Sequence, residues 1–164
     1  MRRRLVGLVL VTVAAMSLPG VAAAQDTTTF VANLRPASEV PPCPNAARTA
    51  VGTAVFELSE DATQLTYRLV VSNTASPITA AHIHLAPVGQ NGPVVAFLFG
   101  PSAGVESNGL LASGVITAAD LTGPLTGQPF STLVAAIQQG NTYANVHTTG
   151  CPGGEIRGQI RTGD

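Results

Sequence analysis

The sequence predicts an all-β fold, an antiparallel Greek-key sandwich or barrel of about eight strands with one short helix. Three observations predict it. Hydrophobic residues make up 45% of the chain, yet aromatics are only 4% and tryptophan is absent, so the core is an aliphatic one built from Val, Ala, Leu and Ile. Apolar and polar residues alternate with period two in short runs, the pattern of a half-buried strand. Glycine (17) and proline (12) punctuate those runs at near-regular spacing.

The elements follow in order. Phe30 to Leu34 opens the series. Pro36 and the Pro41-Pro42-Cys43-Pro44-Asn45 run make a rigid loop with no strand character. Val51 to Leu58 places Ala54, Phe56 and Leu58 on one face. Ser59 to Ala62 reads as a hairpin connection into the next strand, where Leu65, Tyr67, Leu69 and Val71 alternate with Thr66 and Arg68. Ile78 to Leu85, Val94 to Phe99 and Leu110 to Ile116 continue the series, and Asp120-Leu121 suggests a single turn. Ser131 to Gln139 breaks the pattern with helical spacing, Ser131 as a candidate cap and Gly140 as the stop. Tyr143 to Thr148 and Glu155 to Arg161 close the chain as a hairpin across a Gly/Pro loop. Phe56, Phe97, Phe99 and Phe130 are the expected large core pieces.

The first 24 residues read as a signal peptide rather than as part of the fold. Arg2 to Arg4 form a basic start, Leu5 to Leu18 an apolar stretch, and Ala22-Ala23-Ala24 the small-residue cleavage pattern. Cleavage after Ala24 would leave 140 of the 164 residues, with five arginines against nine acids and a net charge of −4. No membrane span is expected after cleavage. A chain with no lysine and an acidic balance is a poor nucleic-acid binder. The expected location is therefore secreted or periplasmic.

An oxidising compartment bears on the two cysteines, Cys43 and Cys151. An even count in an exported chain reads as a disulfide. That bridge would close a long loop and contribute roughly 4–5 kcal/mol in the chain-entropy account.

All three histidines fall in strand candidates. His82 and His84 sit two apart, so in a strand they share a face, about 7 Å apart, with Ile83 and Leu85 turned to the core. His147 shares a face with Tyr143 and Asn145, and the last strand would present Glu155, Arg157 and Gln159. If these strands are neighbours, Asn145, Glu155 and Arg157 form a polar cluster beside three imidazoles. Three nitrogens can hold one copper or zinc ion and leave a coordination position open. The competing reading is a structural polar cluster with histidines hydrogen-bonded to backbone or to Glu155. No Gly-x-Ser-x-Gly elbow, convergent acid pair or phosphate loop is present, and Gly89 to Pro93 reads as a turn.

Four ordered motifs carry a family resemblance: Ala80 to His84, Gly89 to Val94, Tyr143 to Thr148, and Pro152 to Ile160. Together with Phe30 to Leu34 and Glu39 to Pro42, they resemble a CHRD domain, the module named for chordin, over residues 29–161. The resemblance implies a secreted β-rich module and a distant likeness to the Cu/Zn superoxide dismutase fold, in which a His-x-His strand binds copper. It does not imply growth-factor antagonism, because the cysteine-rich modules that accompany such domains in animal chordin are missing. With three histidines in all, at most a mononuclear site can form, at His82, His84 and His147. The expected function is a non-enzymatic extracytoplasmic module, binding or structural, for a protein or small ligand. The alternative is a mononuclear copper or zinc protein, with redox activity within its reach.

Overall fold

The computed structural model describes residues 28–163; the expected signal segment, residues 1–24, lies outside them. Among the described residues, nine strands form two antiparallel sheets. They are β1 (Thr29–Leu34), β2 (Val51–Leu58), β3 (Gln64–Ser72), β4 (Ile78–Leu85), β5 (Val94–Phe99), β6 (Gly109–Thr117), β7 (Thr142–Thr148), β8 (Ile156–Gln159) and β9 (Arg161–Thr162). One sheet runs β6-β3-β2-β1-β9 and the other β5-β4-β7-β8. The two pack face to face as a sandwich. Phe30, Phe56 and Leu69 come from the first sheet and Ile83, Val146 and Ile156 from the second, all in one core. The Tyr67 hydroxyl on β3 donates to the Leu98 carbonyl on β5 at 2.7 Å, which ties the sheets together.

The expected strands are found with small changes at their ends, and three readings need correction. Glu155 to Arg161 is not one strand. The chain leaves the second sheet after Gln159, passes through buried Ile160, and pairs with β1 as β9. Glu155 therefore precedes β8 rather than lying in it. Phe97 is not core: it is 49% exposed, because β5 slips register against β4 on either side of the His82–Ile83 step and turns its ring outward. Phe30, fully buried, takes the place expected of it. Helix α1 (Phe130–Gln138) starts one residue earlier than expected. Pro129 stands at its N-cap and Ser131 makes no cap, while Phe130, Leu133, Val134 and Ile137 pack inward.

Cys43 and Cys151 are bridged, with their Cα atoms 6.0 Å apart across a sequence separation of 108. The bridge fastens the proline-rich segment after β1 to the β7–β8 loop. Cys43→Ser is expected to lower stability by roughly 4 kcal/mol, read as a drop in the urea midpoint. An unchanged midpoint in both oxidising and reducing buffer would show that the bridge adds nothing.

Candidate metal centre

Strand order brings the histidines together. β7 lies beside β4, with His82 opposite Asn145, His84 opposite Tyr143 and Ala80 opposite His147. His147 is thus the diagonal neighbour of His82 on one face of the sheet, within side-chain reach. One nitrogen from each of the three rings lies within 4.8 Å of the others. His82 Nδ1 and His147 Nε2 face each other at 3.1 Å.

The backbone orients two of the rings. His84 Nδ1 is 2.9 Å from the Gly92 carbonyl and His147 Nδ1 is 3.0 Å from the Pro152 carbonyl. A carbonyl only accepts, so each Nδ1 carries its hydrogen and donates, which leaves Nε2 with a free lone pair. His84 Nε2 is buried and has no partner. This is how metal-binding imidazoles are commonly prepared, with the far nitrogen fixed by a carbonyl. The residues present fit a metal ion: an orphaned buried nitrogen, a second nitrogen set by the same kind of contact, and a third 3.1 Å from it.

Electrostatics keep the rings neutral. Burial pushes the His82 imidazole down to about 4, helped by the neighbouring His147 and His84. Burial also lowers His84 and His147, against the raising effect of their carbonyl contacts. Neutral imidazole is the form that binds metals.

The surrounding residues hold the rings in place. Tyr143 stacks on His84 with centroids 4.8 Å apart and planes 7° from parallel, and the Arg157 guanidinium lies 4.6 Å from the Tyr143 centroid. Because β7 runs between β4 and β8, His84 and Arg157 approach Tyr143 from its two sides. Gly92 serves both neighbours: its N–H donates to the Tyr143 hydroxyl at 3.3 Å while its carbonyl takes His84. No side chain fits there, since a Cβ on Gly92 would fall on the Leu85 carbonyl oxygen. Phe97 meets the His82 ring edge-on, centroids 4.7 Å apart, and remains exposed beside it.

Of the expected polar cluster, Asn145 and Arg157 are cross-strand partners on the same sheet as the histidines. Arg157 donates to the Ser38 and Gln90 carbonyls and to Asn91 Oδ1. Glu155 is engaged elsewhere: its carboxylate accepts from Ala47 N, Ala75 N and Thr148 Oγ1. Sequence reasoning missed Glu39, which is buried over this layer, and took Gly89 to Pro93 for a plain turn although it supplies Gly92 and Asn91. The available signal was a lone acid in a proline-rich loop.

No curated protein matches the chain. The CHRD domain family matches residues 30–160, which includes every strand from β2 to β8 and all three histidines. With most of its length matched in this way, the chain belongs to the CHRD domain family.

Proposed function

We propose that the protein is an exported, non-enzymatic binding module whose ligand is a single copper or zinc ion held by His82, His84 and His147. The observation that carries the reading is the buried, unpartnered His84 Nε2, aimed by the Gly92 carbonyl in a cluster with two further imidazoles. A purely structural histidine would have that nitrogen hydrogen-bonded, as buried polar atoms nearly always are. The metal would supply a Lewis-acidic centre with one position open; the chain supplies neutral nitrogens and rigid carbonyl supports. Export accords with the basic and apolar start of the chain, the disulfide, and the family.

Calorimetric titration of the metal-free protein with Zn²⁺, and separately with Cu²⁺ under a competing chelator, is expected to give one ion per chain with an affinity tighter than micromolar. His82→Ala and His147→Ala are each expected to weaken it severely. Binding no tighter than micromolar, or unchanged in both variants, would leave the histidines as a structural cluster.

A further inference from the structure

Behind the histidines lies a second group of unsatisfied atoms. Glu39 Oε1 and Asn145 Oδ1 are both buried without a partner, in residues 5% and 3% exposed. They converge on one point. A Cβ built on Gly154 would lie 2.7 Å from Glu39 Oε1, 2.6 Å from Asn145 Oδ1 and 2.7 Å from Asn145 Nδ2. Gly154 has φ +126, a conformation that suits glycine, and its missing side chain leaves room for both the carboxyl and the amide beside it.

Two acceptor oxygens turned to one place in a buried setting repel each other unless something with positive character joins them. A metal cation would find two oxygens where hard cations take six or more, and would be repelled by the Arg157 guanidinium that already acts on Glu39. A proton satisfies the geometry. We propose that Glu39 is held as a neutral carboxylic acid whose hydroxyl donates to Asn145 Oδ1, so that the pair forms a buried proton-holding site.

The surroundings support this and define how the site would respond to pH. Burial raises the Glu39 carboxyl to about 7, and Arg157 opposes the rise. The other titratable or charged groups on elements packed around the pair are Arg35 after β1, Tyr143 and His147 on β7, His82 and His84 on β4, and Arg161 on β9. Glu155, next in sequence to Gly154, is occupied by Ala47, Ala75 and Thr148. Glu39, Arg157 and Arg161 line one cleft of about 720 Å³, open to solvent, which gives the proton a way out. On ionisation Glu39 would pair with Arg157, and Asn145 would have to turn its amide to donate instead. Asn145 stands between His82 and Arg157 in the cross-strand row, so the switch acts beside the histidine cluster. The inference does not rest on the metal reading.

The test uses metal-free protein labelled with ¹³C at glutamate carboxyls. One carboxyl resonance is expected to titrate near neutral pH instead of in the ordinary acid range, and to be missing from Glu39→Gln. Glutamine mimics the neutral acid by donating its amide to Asn145 Oδ1. A raised carboxyl stabilises the fold fully below its unfolded value of 4.5 and loses that contribution as pH rises through about 7. The melting temperature of Glu39→Gln is therefore expected to match the unsubstituted protein in acid and to exceed it increasingly through neutrality. Comparing the two proteins cancels the histidine contributions. A Glu39 carboxyl that ionises in the ordinary range would overturn the proposal, even if the variant fails to fold.

Discussion

Glu155→Ala is expected to bring the domain to the edge of unfolding. The Glu155 side chain is 0% exposed and joins three stretches of chain. Its Oε1 accepts from Ala47 N at 3.1 Å and Ala75 N at 2.6 Å, and its Oε2 accepts from Thr148 Oγ1 at 2.8 Å. Ala47 and Ala75 lie 108 and 80 residues away, so one carboxylate fastens the loop before β2 and the loop before β4 to the end of β7. Alanine removes three hydrogen bonds to a carboxylate, each contributing about 1.5–3 kcal/mol when the acceptor is charged, against a total stability of about 5–15 kcal/mol. The expected loss is about 5 kcal/mol or more by that count, measured by urea unfolding at neutral pH. Glu155→Gln keeps one acceptor for the two amides and should lose less. A loss under about 1 kcal/mol in the alanine variant, no more than a typical point change, would show that the disulfide and the strand pairing hold these loops by themselves.

The same residue shows where the sequence stopped being legible. Period-two patterning reports which side chains are buried, and it located all the long strands because each has one apolar face. It does not report which sheet a strand joins. From Ile156 to Thr162 the alternation runs on while the chain crosses between sheets at Ile160, so one strand was expected where there are two. Glu155 and Arg157 then looked like neighbours on one polar face, although the carboxylate faces the loops and the guanidinium faces Tyr143. Phe97 was misplaced for a related reason: the register slips that turn it outward arise from pairing with β4, not from anything local.

The histidines divide in the same way. His82 and His84 share a face by backbone geometry alone, which a sequence discloses. Their meeting with His147 depends on β4 lying beside β7, although β5, β6 and α1 intervene in the chain. Glu39 is harder still, since the one signal for it, a lone acid in a proline-rich loop, ordinarily means a solvated side chain. Here the loop is held down by Arg157 on the Ser38 carbonyl and by Asn91 on the Val40 carbonyl, and the carboxyl is buried beneath it.

His84→Ala is expected to abolish tight metal binding while leaving the fold intact. Of the three rings this one is the most committed: it is 8% exposed, stacked on Tyr143, and its Nδ1 is occupied by Gly92. Loss of an outer-shell support costs about 10–100-fold in metal affinity, so loss of a direct ligand should weaken binding at least that much. A two-imidazole remnant, His82 with His147, has more open positions than protein nitrogens and should exchange its ion readily. Stability gives an independent reading. A ligand at 100 times its Kd stabilises the state that binds it by about 2.7 kcal/mol, so excess Zn²⁺ should raise the unsubstituted protein's urea midpoint and leave that of His84→Ala unmoved. The metal-free variant should still fold but unfold somewhat earlier, because it loses the ring stacked on Tyr143 and leaves the Gly92 carbonyl without its donor, at a cost of about 1–3 kcal/mol. Retention of equimolar, undiminished binding by His84→Ala would place the ion on His82 and His147 alone and leave the buried Nε2 unexplained.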